Sequence, residues 1–374
     1  MKIAVIGAGH AGVTAALEAA KFGADVSLLS DENALPYYRP KITNVAFGQA
    51  ESGEISIHPS EWYDENKIKL VLKSKIEKID PQHCSLWTSS GQPLQFDKII
   101  ITTGACPIIP KFTEGAIQKG YASTLWNIKD SLLIREKLKN IKELAIIGGG
   151  VIGIECALRA SDVGIKVTII EKSDALMQKN LSIRGSQVLK QALQNKGIET
   201  LTSTTVENIT QTNNKASIKT EEKLLFFDHI ILSIGCLPNA GFIQANGVYV
   251  NNYMASNLPN IYSAGDSAVV ESAIAPFSVL NAINQGKIAG YNASTSNSPI
   301  KFQNSPATVD IKYNDFELHA VGYSTESLLK NESVLEENGN IYRSILRDTN
   351  SILGIQMIGS SKDFNLYRKQ LKTI

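Results

Sequence analysis

Cysteine is scarce in this chain, and its spacing excludes several chemistries. Of 374 residues only four are cysteine: Cys84, Cys106, Cys156 and Cys236. There is no CxxC, no CxxxxC and no Cys/His cluster with zinc spacing, so neither a metal site nor a paired redox motif is expected. Four reduced, mostly buried thiols are the plain reading. His58, His83, His229 and His319 likewise have no spacing that suggests ligation. Long apolar runs are absent too: none approaches the roughly 20 residues needed to span a bilayer. Nor is there an excess of one charge. Thirty-seven Lys and Arg face 36 Asp and Glu, a net charge of +1, which gives neither nucleic acid nor an anionic membrane a reason to bind. The chain opens directly on an apolar strand without a secretory pattern, and a cytoplasmic location is the expectation.

What is present is ordinary globular composition, 43% apolar and 20% charged, in a length that suits two or three domains. The organising stretch is KIAVIGAGHAG at 2–12. A short apolar run at 3–6 ends at Gly7 and passes through Gly9 and Gly12 into an Ala-rich segment, which reads as strand, tight turn and helix. Glycines there let backbone approach a pyrophosphate, and amides at a helix N-terminus favour negative charge. A lone GxGxxG is a weak signal; the strand before it and the helix after it make it a stronger one.

The chain then repeats itself. Gly148, Gly150 and Gly153 lie 141 positions after Gly7, Gly9 and Gly12, Gly164 keeps the same offset from Gly23, and an expected strand at 167–171 keeps it from one at 26–30. Later, FDKIIITTG at 96–104 matches FDHIILSIG at 227–235. Between these landmarks each half carries segments suited to an antiparallel meander: 70–80 and 84–88 in the first, 200–210 and 215–221 in the second. The expected fold is α/β, with two duplicated Rossmann-type dinucleotide-binding domains, the second inserted in the first. After NIYSAGD at 260–266 a helix is expected over 279–291. Short strands at 307–313, 318–321, 341–346 and 352–358, with a basic helix at 363–373, form a small C-terminal α+β domain. The expected division is 1–112 and 245–302, then 113–244, then 303–374.

At this point the chain resembles the FAD-dependent pyridine nucleotide-disulfide oxidoreductases, in particular their NADH:rubredoxin reductase branch, which is related to the flavin part of nitrite reductase large subunits. The resemblance rests on GAGHAG at 7–12, LPYYRPKI at 35–42, EWYDENKIKL at 61–70, IITTGACP at 100–107, IIGGGVIGIECA at 146–157 and NIYSAGD at 260–266, and covers the whole chain. It implies that Gly7, Gly9, His10, Ala11 and Gly12 hold the FAD pyrophosphate. It places Arg39 near the flavin or its phosphates, Ile76 by the adenine, Thr103 and Gly104 beside the FAD, and Asp266 at the ribityl chain or phosphates. The helix from about Val279 would aim its N-terminus at the flavin, where partial positive charge favours an electron-rich ring. Gly148, Gly150, Val151, Ile152, Gly153 and Gly235 would serve the nicotinamide cofactor. Glu171, at the end of the second strand of its half, would accept both ribose hydroxyls and repel a 2′-phosphate, which favours NADH; the adjacent Lys172 works the other way.

Several positions keep two readings. By register the FAD ribose acid should be residue 30, which is Ser30. Glu32 is the choice for that role, against a reading of Asp31 and Glu32 as a solvated turn. His10 either donates to a phosphate or packs the turn. Glu155 resembles a nicotinamide contact, against an ordinary helix-surface acid. Trp62 and Tyr63 are read as anchors of their helix.

Related enzymes carry redox cysteines where this chain has LPYYRPKITNVAFG, a lone Cys156 and Ile42, so no redox-active disulfide is expected and the chemistry belongs to the flavin. The expectation is an oxidoreductase that takes hydride from NADH onto FAD and passes electrons to a small rubredoxin-like protein. The alternatives are an NADH oxidase that reduces oxygen directly and a non-enzymatic flavin-bound NADH sensor. Because dimerising relatives have longer C-terminal domains, a monomer or weak dimer is expected.

Overall fold

A computed structural model describes residues 1–89, 91–244, 246–270, 278–295, 298–306, 308–322, 331–348 and 351–371. The chain divides into two compact units, one of residues 1–41, 51–106 and 236–305, the other of 42–50, 107–235 and 306–374.

Unit 1 is built on a five-stranded parallel sheet in the order Ile261–Ser263, Lys98–Ile101, Lys2–Ile6, Asp25–Leu29, Ile68–Val71. Its central strands are covered on both faces, which is why they read as continuous apolar runs rather than alternating ones. Helix His10–Lys21 follows the first strand. It ends where Gly23 takes φ +82° and the amides of Gly23 and Ala24 bond back to Ala20 and Ala19, a Schellman stop. A separate antiparallel meander holds Ile76–Asp80, Ser85–Thr88 and Pro93–Gln95.

Unit 2 repeats the plan. Its parallel sheet runs Glu199–Leu201, Lys166–Ile170, Glu143–Ile147, His229–Leu232, Ala122–Thr124. Helix Val151–Asp162 stops the same way, with Gly164 at φ +82° and amides of 164 and 165 bonding to Ser161 and Ala160. The meander is Val206–Thr212, Lys215–Thr220, Leu224–Phe227. The edge strand next to the returning strand comes late in the chain in unit 1 (Ile261–Ser263) and early in unit 2 (Ala122–Thr124). Unit 2 also contains an antiparallel sheet ordered Thr308–Tyr313, Phe316–Gly322, Ser351–Ile358, Ile341–Asp348, Glu332–Asn338, and helix Phe364–Arg368.

The duplicated Rossmann-type plan agrees with the sequence reading; several elements differ in detail. The segments 70–80 and 200–210, read as single meander strands, are each broken. Lys73 and Ser203 adopt φ +54° and +52°, and the chain turns there from the parallel sheet into the meander. The strand Glu332–Asn338 escaped notice because its exposed, acidic alternation looks like a solvated face. The last helix is shorter than 363–373, and positions 372 and 373 of that expectation, like 307 of the first short strand, lie outside the described residues. Among the described residues no helix is long and apolar enough to cross a membrane.

Candidate functional site: two glycine cradles

In unit 1 the three motif glycines do different work. Gly7 sits at φ +100°, and a Cβ there would lie 2.4 Å from the Thr102 carbonyl oxygen; one on Gly12 would lie 1.9 Å from the Gly7 carbonyl oxygen. These two positions are closed by protein. A Cβ on Gly9 would meet nothing within 4 Å, so packing does not require glycine there. Gly9 caps helix His10–Lys21 without any side-chain hydrogen bond, which leaves its first amides for a ligand. Unit 2 is the same: Gly148 sits at φ +109°, where a Cβ would lie 2.4 Å from the Ser233 carbonyl oxygen, a Cβ on Gly153 would lie 2.1 Å from the Gly148 carbonyl oxygen, and Gly150 faces open space and caps its helix with no side chain. Val151 and Ile152 are the first two residues of that helix.

A hydroxyl locks each cradle, and sequence reasoning missed both. Thr102 Oγ1 donates to the carbonyls of Ile6 at 2.9 Å and Gly7 at 2.8 Å; Ser233 Oγ donates to those of Ile147 at 3.2 Å and Gly148 at 2.9 Å. They occupy matching places in FDKIIITTG and FDHIILSIG, so the repeat itself was the signal. The aspartates of those stretches match too. Asp97 accepts the Lys2 amide at 2.7 Å, and Asp228 accepts the amides of Lys142 and Glu143 at 2.8 and 2.9 Å.

The acids after the second strands diverge. Glu171 accepts from the Gly149 amide at 2.6 Å and the Ser173 amide at 2.8 Å, so its carboxylate is fixed at the mouth of the cradle. At the matching place Ser30 Oγ accepts from the Glu32 amide at 3.2 Å. The carboxylate of Glu32 lies one turn on, taking the Tyr37 hydroxyl at 2.9 Å and Arg39 Nη2 at 3.0 Å, while Asp31 is exposed. Arg39 also stacks on the Tyr37 ring at 5.3 Å.

Two further groups, Asp266 and His10, lie in the field of Arg39. Burial raises the carboxyl of Asp266 above its ordinary range, and the Arg39 charge opposes that rise. His10 packs edge-on to Tyr38 at 5.2 Å; burial, reinforced by Arg39, holds its imidazole below the usual value, and its buried Nε2 has no hydrogen-bond partner. Thr103 Oγ1 donates to the Asn239 carbonyl, and Gly104, at φ +69°, accepts the Asn239 amide at 2.8 Å. Ile76 opens the meander and is buried.

Helix Val279–Ser294 is set against the first glycine helix by two glycines. A Cβ on Gly286 would lie 2.3 Å from the Ala11 carbonyl oxygen, and one on Gly290 2.4 Å from that of Ala15. From this helix Gln285 accepts the Gly265 amide at 2.8 Å, which ties it to the Asp266 turn.

In unit 2, Glu155 is half-buried on its helix and accepts from Thr43 Oγ1 at 3.2 Å. Gly235 takes φ +110° and its carbonyl accepts the Ile108 amide at 3.0 Å. Cys156 is fully buried, and burial pushes its thiol up and out of reach of ionisation at neutral pH. Among the described residues no group of three or more His, Cys, Asp or Glu is arranged to hold a metal ion.

Residues 1–286 match the family described as pyridine nucleotide-disulphide oxidoreductase. The chain is similar to the nitrite reductase [NAD(P)H] of Bacillus subtilis, 26% identical over 97% of this chain and 46% of that protein, so it spans about half the length of that relative. It is 29% identical to the NADH-rubredoxin oxidoreductase of Clostridium acetobutylicum over 78% of this chain and 74% of that one. The crystal structure of NADH:rubredoxin oxidoreductase from Clostridium acetobutylicum superposes with a TM-score of 0.78 at 26% identity, covering 100% of this chain and 94% of that one.

Proposed function

The chain belongs to the pyridine nucleotide-disulphide oxidoreductase family, and from that premise we propose that it is an NADH-dependent flavoprotein reductase with FAD in the unit 1 cradle, NADH in the unit 2 cradle and a small rubredoxin-like protein as electron acceptor. The observation that carries this reading is the doubled cradle: two glycine turns, each closed by protein at its first and third glycines and open at its second.

The residues present fit both cofactors. In unit 1 the uncapped amides after Gly9 suit a pyrophosphate, the unpartnered His10 Nε2 can meet a phosphate oxygen, and Arg39 supplies positive charge. Glu32 and Asp266 are the acceptors for sugar or ribityl hydroxyls, and Thr103, Gly104 and Ile76 line the remainder. In unit 2 Glu171, already fixed by two backbone amides, has lone pairs left for ribose hydroxyls and repels a 2′-phosphate. Bound FAD supplies the redox chemistry, accepting electrons in a pair as hydride and releasing them one at a time. The protein orients the two cofactors and sets the field around them; the N-terminus of helix Val279–Ser294, with about half a positive charge, would favour an electron-rich flavin.

Two places where related enzymes carry redox cysteines offer no usable thiol here, which supports an external acceptor; of the other cysteines Cys84 is buried, Cys106 exposed and Cys236 half-buried, so only two of the four are buried. Cys156 is sealed in its helix and position 42 is Ile42. Anaerobic stopped-flow reduction by NADH, followed by mixing with rubredoxin or with oxygen, tests the reading. Fast reoxidation by rubredoxin and slow reoxidation by oxygen is the expected result. Fast reoxidation by oxygen alone would replace it with an oxidase, and a long-lived reduced complex inert to both with a nucleotide sensor.

A further inference from the structure

None of the residues assigned to either cofactor lies on the C-terminal sheet, yet that sheet meets helix Ile183–Asn195 through a stripe of buried polar groups. Tyr342, Ser344 and Gln356 project from one face of strands Ile341–Asp348 and Ser351–Ile358, and none is more than 1% exposed. They converge on Ser182, the residue that caps the helix. The Ser182 amide donates to Gln356 Oε1 at 2.8 Å, and its Oγ lies 3.2 Å from the Tyr342 hydroxyl. That hydroxyl donates to Glu332 Oε1 at 2.6 Å, and Ser344 donates to the same oxygen at 2.7 Å. With the Tyr342 proton committed to Glu332, Ser182 Oγ donates to Tyr342 while it accepts the capping Gly185 amide at 3.1 Å. The bonds therefore run one way, from the helix cap through Tyr342 to a carboxylate. Helix backbone closes on them: a Cβ on Gly185 would lie 3.1 Å from Gln356 Oε1 and 3.2 Å from the Tyr342 ring. Apolar side chains are enough to pack a helix on a sheet; a satisfied polar chain fixes one register between them.

That register bears on the segment just before Ser182, which comes from Glu171 and the second cradle. Met177, buried in this segment, takes φ +53°, a left-handed backbone that a long side chain adopts only where its surroundings enforce it. Its amide donates to the Gly149 carbonyl in the glycine turn at 2.9 Å, and its carbonyl accepts the amides of Asn180 and Leu181 at 2.7 and 2.9 Å. Leu176 Cδ2 lies where a Cβ on Gly149 would meet it at 2.5 Å. One wall of the cradle thus rests on a strained turn, and the C-terminal sheet grips the residue at which that turn ends. All of these residues belong to unit 2.

We propose that Gln356, Tyr342 and Glu332, acting through Ser182, form a brace by which the C-terminal sheet holds the 174–182 turn against Gly149 and so sets nucleotide affinity in the second cradle. The inference rests on the reading that this cradle takes NADH. Tyr342 and Gln356 are positioning residues: they act on the helix cap, and the cap on the turn. Without the brace the strained backbone at Met177 is free to relax, and the wall beside Gly149 loses its fixed place.

The test uses the FAD-loaded full chain and a redox-inert tetrahydro analogue of NADH, with affinity measured by calorimetry. Tyr342→Phe keeps the ring and removes the hydroxyl, so Ser182 loses its acceptor and Glu332 one of its donors. It should weaken analogue binding about tenfold. In stopped-flow reduction by NADH the loss should fall on apparent affinity and not on limiting rate. Ser182→Ala should weaken binding at least as much, and in that background Tyr342→Phe should have no further effect. Met357→Ala, fully buried on the opposite face of the same sheet, should lower the melting temperature and leave affinity unchanged, which separates the brace from stability alone. Wild-type affinity in Tyr342→Phe, a further loss in the Ser182→Ala background, or an equal loss in Met357→Ala would overturn the proposal. If Tyr342→Phe does not fold, Gln356→Met takes the acceptor from the Ser182 amide instead; weakened binding is expected, and wild-type affinity there refutes the brace. A wild-type protein that binds no analogue at all would remove the NADH reading itself, and the inference with it.

Discussion

Gly9 and Gly12 stand three positions apart and answer to different constraints. Gly12 is required by the fold, because a Cβ there would collide with the Gly7 carbonyl oxygen at 1.9 Å. Gly9 has an extended backbone that any residue adopts and open space where its Cβ would go. Gly12→Ala should therefore lower the melting temperature, by a cost of about 1–3 kcal/mol or more. Gly9→Ala should melt within a degree or two of wild-type apoprotein yet fail to retain FAD, as measured by flavin absorbance after gel filtration. Glu32 and Asp31 separate in the same way. Glu32 is gripped by Tyr37 and Arg39 while Asp31 faces solvent, so Glu32→Ala should release FAD more readily than Asp31→Ala, and equal retention would remove Glu32 from the ribose site. His229 gives a pH signature. Burial, with the Lys137 charge behind it, pushes its imidazole down to about 4, and Ser123 Oγ lies 2.9 Å from Nε2. As pH falls below the ordinary 6.5, the unfolded chain takes up this proton first, so its stability contribution is full above about 6.5 and lost progressively down to about 4. The loss totals about 3 kcal/mol. His229→Phe should flatten that part of the denaturation profile. At this scale the sequence was readable for glycines and charges, whose constraints are strong. It was silent on Thr102 and Ser233, because a small hydroxyl facing a carbonyl leaves no pattern outside its own repeat. Glu155 shows the same limit from the other side: its spacing fits a surface acid, and only tertiary packing half-buries it.

Among elements, the crossing of helices His10–Lys21 and Val279–Ser294 is set by Gly286 and Gly290 lying against the carbonyls of Ala11 and Ala15. Gly286→Ala would place a methyl 2.3 Å from backbone oxygen, which must push the helices apart. Because Ala11 belongs to the cradle, the expected outcome is a loss of stability of about 1–3 kcal/mol together with weaker FAD retention. Thermal melts of apoprotein and FAD-loaded protein separate the two effects. The elements of both halves were legible because a shared register fixes them twice. The breaks at Lys73 and Ser203 were not, since a left-handed turn at Lys or Ser has no compositional mark. The edge strand Glu332–Asn338 was hidden for a different reason: half its side chains face water, so it lacks the apolar run that marks the buried strands.

For the whole molecule, the internal duplication is the fact from which the rest follows. On the proposed reading each copy of the nucleotide-binding plan holds one nucleotide, and the departures of the two copies from each other would divide the labour. Unit 2 keeps a carboxylate, Glu171, on its own cradle amide, whereas unit 1 has Ser30 at that place and gathers Glu32, Tyr37 and Arg39 beside it. The most direct test is anaerobic titration with NADH of three proteins, wild type, Gly9→Ala and Gly150→Ala, each assayed for bound flavin. The account predicts that wild type binds FAD and is bleached by NADH, that Gly9→Ala holds no flavin, and that Gly150→Ala holds FAD that dithionite bleaches and NADH does not. Flavin lost from Gly150→Ala but retained by Gly9→Ala would contradict it.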